Sequence, residues 1–214
     1  LVRGIKNAPG IMAELARLPG VSVAPAILGQ TILRYGSKTE TAQLHGIEPE
    51  REITVSKLAE DMIEGSLDDL ETAQNGIILG YLLAQRLGVR IGETINATAP
   101  EGGVVRVKLV GLFRTGAVSI DRTTSYTLLK KAQVILDKPN VINRLRIRLA
   151  DFAAARETAA EIEDRHRFLA ESWQEANQDL LALLNVRNII MYAIVSAILV
   201  VASLLKVSAV YKVG

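Results

Sequence analysis

The order of apolar and polar positions divides this chain into two unlike parts. Over about the first 170 residues, short apolar patterns are interrupted again and again by glycine, proline and charge. Then Asn188 to Leu205 runs for eighteen residues without a charge, closed by Arg187 on one side and Lys206 on the other. At about 1.5 Å per residue this is a helix of roughly 27 Å, close to the ~30 Å hydrocarbon core of a bilayer. The pattern predicts a transmembrane helix over 188–205 and a folded domain before it.

Within that domain the periods alternate between helix and strand. Ile11, Met12, Leu15 and Leu18 share one face of a predicted helix over 9–18, stopped by Pro19-Gly20. Val21 to Ala24 reads as a short strand, with further strands expected over 30–35 and 43–47, and a weak helix over 55–64. The run Gly76-Ile77-Ile78-Leu79-Gly80 is a short apolar strand that passes into a helix over 81–87, closed by Gly88. Segments 89–95 and 104–113 read as a hairpin around a tight turn at Pro100 to Gly103. A strand over 125–129 and a short helix over 130–136 follow. Over 143–149 the alternation is clear: Leu145, Ile147 and Leu149 face one way, Arg144, Arg146 and Arg148 the other. A helix over 152–165 and a strand near 167–170 complete the domain. The fold class expected is α+β, a two-lobed domain over 1–171 with mixed or antiparallel sheets, its outer lobe over roughly 30–140.

Ser172-Trp173-Gln174-Glu175 has the sequence of a capping box, Ser172 as N-cap and Glu175 reaching back from the third helical position. No glycine or proline follows before Gly214, and Trp173, Ala176, Leu180 and Leu184 form a stripe at helical spacing. One helix of about 30–40 residues is therefore expected, a stalk over 172–187 continuing into the span. Trp173 is placed in packing between this helix and the domain, too far from the span for an aromatic belt. Lys206 and Lys212 follow the span against Arg187 before it, which points to a cytoplasmic C-terminus and an exported domain.

Composition narrows the function by exclusion. Charged residues are 22% and apolar ones 49%, a globular balance, and the net charge is only +2. No basic block is long enough to follow a phosphate backbone, so nucleic acid is not an expected partner. There is no cysteine, which removes thiol catalysis and cysteine-ligated metal and leaves the compartment open. The chain starts at Leu1 without a signal-peptide pattern and reads as a piece of something longer.

Candidate chemistry is sparse. His45 stands alone in a strand and His166 in the charged run Glu163-Asp164-Arg165-His166-Arg167. Neither has a second ligand at metal spacing, and structural or solvated roles are expected. The acidic pairs Asp68-Asp69 and Glu163-Asp164 read as surface rather than hydrolytic carboxylates. Gly76 and Gly80 lack the Gly-Lys-Ser/Thr of a phosphate loop, and no serine lies in a nucleophile elbow. The ladder Arg144/Arg146/Arg148 is either the wet face of a sheet or a site for an anionic partner. No catalytic, cofactor-binding or metal residues are assigned, and the chain is read as a non-enzyme without cofactors.

Six segments in order carry a resemblance: G-I-E-P-E (46–50), E-G-S-L (64–67), N-G-I-I-L-G-Y-L-L-A-Q-R-L-G-V-R-I-G-E (75–93), V-G-L-F-R-T-G (110–116), the strand and helix from Thr124 to Gln133, and S-W-Q-E-A-N (172–177) before an apolar span. Their order resembles the extracytoplasmic domain of type VII ABC transporter permeases, the LolC/LolE lipoprotein-releasing branch and its MacB-like relatives. The resemblance implies a periplasmic domain of a bacterial inner-membrane permease, ending in the start of its second span. It further implies a separate cytoplasmic ATPase subunit and a second permease subunit, identical or not. The cargo would be a lipoprotein, lipid or amphipathic substrate, released or exported by mechanotransmission along the long helices.

Two departures accompany it. The hairpin from Ala97 to Val105 is too tight for the protruding loop with which LolC-like permeases capture a lipoprotein carrier. Residues 206–214 also depart from the expected continuation of the span. An alternative of a different class is a cell-division-type permease homologue regulating a cell-wall hydrolase. A tail-anchored enzyme is a third, without a catalytic set to support it.

Overall fold

A computed structural model of the chain describes residues 4–73, 75–99, 103–176 and 178–211, with side chains described up to Leu199 apart from 179–181, 184 and 185. The residues divide into two compact units, the first ending at Ala150 and the second beginning at Asp151.

The first unit runs α1 (Ala8–Leu15), β1 (Val21–Tyr35), β2 (Lys38–Ile47), α2 (Pro49–Val55), β3 (Met62–Glu64), α3 (Asp69–Thr72), β4 (Gly76–Gly80), α4 (Tyr81–Leu87), β5 (Thr94–Thr98), β6 (Val104–Phe113), α5 (Val118–Thr123), β7 (Thr124–Leu128), α6 (Leu129–Ile135) and β8 (Arg144–Leu149). It is an α+β arrangement, and its eight strands are hydrogen-bonded into one mixed sheet in the order β2-β7-β4-β6-β5-β1-β8. A further β2–β1 pairing closes six of them into a ring, with β3 attached to β6 and β8 to β1 outside it. Two pairings in the ring, β2–β7 and β4–β6, are parallel. Closure pairs β1 with β2 and so removes the two free edges that an open six-stranded sheet would present as templates for aggregation.

The ring encloses the larger core. Leu33, Leu44, Ile77, Leu79, Ile95, Val107 and Leu109 from the strands meet Leu83 and Leu87 of α4 and Ala132 and Ile135 of α6. A smaller cluster lies on the other face of β4, where Ile78 packs with Ile47, Phe113, Tyr126, Leu58, Leu67 and Leu70. Every residue of β4 is buried, which is why it reads as a continuous apolar run rather than an alternating one. Gly46 and Gly80 permit two close approaches. A Cβ on Gly46 would collide with the Ala132 and Ile27 side chains, and one on Gly80 with the Asp121 backbone.

Several expected boundaries move, each for a physical reason. The strands expected over 21–24 and 30–35 are one fifteen-residue strand, β1, that passes through Pro25. The even positions of β1 bond toward β8: the Ala150 N–H donates to the Gly20 carbonyl and the Asn143 N–H to that of Ala26. The nitrogen of Pro25 therefore faces the other edge, where β2 has already ended at Ile47, so no ladder bond is lost. The weak helix expected over 55–64 is instead α2, which starts at Pro49. Proline suits a first helical turn because its missing N–H would have no partner there. Residues 62–64 form β3 on β6. The strand expected over 89–95 is a turn followed by β5, and no strand forms over 167–170, where Arg167 ends a helix in the left-handed conformation at φ 54°. The β5–β6 hairpin pairs Thr98 with Val104; the tip of its turn, 100–102, lies outside the described residues.

The second unit contains a 3₁₀ turn (Phe152–Ala154), α7 (Ala155–His166), α8 (Trp173–Ala176) and α9 (Gln178–Tyr211), a helix of 34 residues. The capping box before α8 forms as the sequence spells it. Glu175 accepts from the Ser172 N–H at 2.9 Å and from its hydroxyl at 2.7 Å, and the Glu175 N–H donates to Ser172 Oγ at 3.3 Å. Among the described residues no helix is long and apolar enough to cross a membrane. The expected span over 188–205 extends past Leu199, beyond which side chains are not described.

Candidate functional site: a buried polar cluster under helix α2

The sequence places Glu52 on α2, His45 on β2, Tyr126 on β7 and Arg146 on β8, four elements spread over a hundred residues. Register brings them to one face of the sheet. His45 is directly beside Tyr126 in the parallel β2–β7 pair, their ring centroids 5.0 Å apart. Arg146 pairs with Ala24 on β1, and α2 packs over β1 and β8. There Arg146 makes a short ion pair with Glu52 Oε1, and Glu52 is fully buried. A carboxylate removed from water demands such a partner.

The surroundings set the protonation of this cluster. Burial, helped by the charges of Arg146 and Arg144, pushes His45 down to about 4, so the imidazole is neutral at physiological pH. Its Nε2 and Glu52 Oε2 are buried without a hydrogen-bond partner among the described residues. Burial also raises the Tyr126 hydroxyl, opposed by the charge of Arg146 and by a hydrogen bond from it. The cluster holds a neutral histidine, a carboxylate occupied by an arginine and a phenol, with no nucleophile activated by a base. Its geometry joins α2, β7 and β8; it does not build a catalytic centre.

The other sequence-designated residues are not brought together. Asp69 is occupied within its own turn, accepting from the Ser66 N–H at 2.7 Å and its hydroxyl at 3.1 Å, while Asp68 stands at the N-cap position just before α3. Glu163, Asp164 and His166 lie at the end of α7. Trp173 is not in a core: it is 44% exposed, and its indole donates to the Phe152 carbonyl at 3.1 Å within the second unit. The arginine ladder divides. Arg144 and Arg148 are exposed as the alternating pattern implies, but Arg146 turns into the buried pair with Glu52. Among the described residues no group of three or more histidine or acidic side chains is placed to hold a metal. Glu52 and Asp121 were not legible as buried acids. Asp121 is 4% exposed and accepts from the N–H and hydroxyl of Thr115, both at 2.8 Å.

Comparison with known proteins follows the same architecture. The sequence profile of the MacB-like periplasmic core domain matches residues 4–165. The chain is 28% identical over 215 residues to the lipoprotein-releasing system transmembrane protein LolC of Neisseria meningitidis serogroup B, which covers 95% of this chain and 50% of that protein. It is 29% identical over 192 residues to a protein of the same name from Xylella fastidiosa, covering 85% of this chain and 46% of the relative. The chain thus spans about half the length of the curated relatives it matches. Among solved structures, the extracellular domain of the noncanonic ABC-type transporter YknZ from Gram-positive bacteria superposes with a TM-score of 0.54 at 18% identity, over 74% of this chain and 84% of that one. The periplasmic region of MacB from Actinobacillus actinomycetemcomitans does so with a TM-score of 0.55 at 14% identity, over 80% and 81%. At these identities the structures speak for the fold alone. With its profile match spanning the whole of the closed sheet and reaching into α7, the chain belongs to the MacB-like periplasmic core domain family.

Proposed function

We propose that this chain is the periplasmic domain of an inner-membrane ABC transporter permease of the lipoprotein-releasing kind. The observation that carries the reading is the alignment of 95% of the chain with a lipoprotein-releasing system transmembrane protein. Helix α9 supports it. From Ile189 to Leu199 every residue is helical and exposed, on all sides of the helix, and water is a poor solvent for such a surface. In this reading α9 enters the bilayer over 188–205, with 172–187 as a stalk. The chain carries no chemistry of its own. A separate cytoplasmic ATPase hydrolyses ATP, a second permease subunit completes the transporter, and nucleotide-driven motion passes along the stalk to the periplasmic domain, freeing a lipoprotein or similar amphipathic cargo.

The test is reconstitution of the full-length permease with its ATPase and partner subunit in proteoliposomes carrying a triacylated lipoprotein. ATP-dependent transfer of that lipoprotein to a soluble carrier is the expected result. Binding and activation of a cell-wall hydrolase, with no lipoprotein transfer, would replace the reading with the cell-division type.

A further inference from the structure

We infer that the free edge of β8 is a strand-addition site for an extended peptide that alternates acidic and apolar residues. This goes beyond the transport reading and does not depend on it. Among the described residues β8 pairs only with β1, over Val21–Ala26. In an antiparallel ladder successive residues bond to opposite sides. The Ala150 N–H donates to the Gly20 carbonyl at 2.8 Å, so positions 144, 146 and 148, of the same parity, bond inward to β1. The N–H and C=O groups of Leu145, Ile147 and Leu149 therefore point to the open edge, three residues' worth of unused ladder.

Side-chain chemistry selects the occupant. On one face of β8 stand Arg144, Arg146 and Arg148; on the other, half-buried, stand Leu145, Ile147 and Leu149. Arg146 is taken by Glu52, whereas Arg144 and Arg148 are exposed and have no ion pair among the described residues. A strand added at this edge sets its own residues directly opposite these, where opposite charges stabilise and like charges destabilise. A second copy of β8 would bring arginine against arginine, so the edge disfavours self-pairing. It accepts a strand with carboxylates on the arginine face and aliphatic side chains on the other. The backbone supplies affinity and the alternation supplies selectivity.

The test uses the full chain in detergent and two capped hexapeptides, one alternating Glu and Val, the other Lys and Val. Hydrogen exchange on the free protein should find the amides of Leu145, Ile147 and Leu149 fast and those of Arg144, Arg146 and Arg148 slow. The acidic peptide should protect the fast set, and the basic peptide should not. Replacing both exposed arginines, Arg144→Ser with Arg148→Ser, should weaken the acidic peptide about tenfold while leaving the fold intact. Ile147→Pro, which removes an outward N–H only, should abolish its binding. Amides at 145, 147 and 149 that are already slow in the free protein would show that the edge is covered and overturn the proposal. Equal binding of both peptides, or a dimer that neither displaces, would overturn it as well.

Discussion

The carboxamide of Asn143 stands in for a strand beside Leu28. Its Oδ1 accepts from the Leu28 N–H at 2.8 Å, and its Nδ2 donates to the Leu28 carbonyl at 2.8 Å. The need arises from the sheet. On this edge β1 is paired with β8 through Ala26 and with β5 from Ile32, and Leu28 falls in the gap between them. One side chain thus satisfies both backbone groups that the ladder leaves open. Asn143→Ala should cost about 2 kcal/mol, since both partners at Leu28 lose their bond together. The check is the urea midpoint together with the exchange rate of the Leu28 amide, which should rise more than that of any β1 amide already paired with β2.

The Glu52–Arg146 pair should behave asymmetrically. Arg146→Met leaves a fully buried carboxylate without its cation and should destabilise the fold by about 3–5 kcal/mol. Adding Glu52→Leu to that variant removes the stranded charge and should recover most of the loss. A double-mutant cycle measured by denaturant unfolding checks this. Losses that simply add would mean the pair is not coupled.

His45 makes stability depend on pH in a defined window. Its value lies at about 4 in the folded chain, pushed down by burial first and by Arg146 and Arg144 next, against about 6.5 unfolded. Between those values the unfolded chain binds the proton and the folded chain does not, so stability rises with pH there. On acidification it falls progressively from about pH 6.5 and levels off for this group below about pH 4, up to about 3 kcal/mol in all. His45→Phe should flatten that part of the curve, as read from unfolding free energies at half-unit steps between pH 4 and 7. Carboxylates titrate in the lower part of this window in both proteins and cancel in the comparison.

Gly80 is a second point of backbone contact. A methyl group there would collide with the main chain of Asp121, which cannot rotate away as a side chain could. Gly80→Ala should cost about 1–3 kcal/mol or displace α5. Gly92→Ala meets nothing within contact distance, yet its φ of 91° strains an alanine, so its cost is conformational alone. Thermal midpoints of the two variants, with the Thr115 amide resonance as a reporter of the Asp121 hydrogen bond, separate displacement of α5 from simple strain.

Local signals carried much of this fold, and non-local ones did not. The capping box at Ser172 and Glu175 and the helix over 81–87 with Gly88 behind it at φ 73° are contained within a few residues, so the sequence spells them; of the β5–β6 hairpin it spells the second strand, while the first lies at Thr94–Thr98 rather than over 89–95. The apolar run of β4 is likewise legible because burial on both faces removes alternation. The continuity of β1 through Pro25 is not legible, because the cost of a proline in a strand depends on which edge is open there, a property of β2 and β8 rather than of the residues beside it. The ring closure through β1 and β2, and the meeting of Glu52 with Arg146 across 94 positions, rest on pairing register, which no local pattern encodes. Alternation over 144–149 places the three arginines on one face of β8. Only the structure distinguishes the arginine that turns inward from the two that do not.

Placement at the membrane tests the central claim most directly, and these 214 residues contain no cysteine, so only cysteines elsewhere in the full-length protein need replacing first. Single cysteines introduced as Ser37→Cys, in the exposed turn between β1 and β2, and as Ala197→Cys, in the exposed apolar stretch of α9, should be compared in the full-length protein in intact cells whose outer membrane has been permeabilised. A membrane-impermeant maleimide should label position 37 from the periplasmic side and leave position 197 unlabelled until the bilayer is dissolved. Equal labelling of both positions in intact cells, or labelling of position 37 only after the inner membrane is broken, would contradict the account.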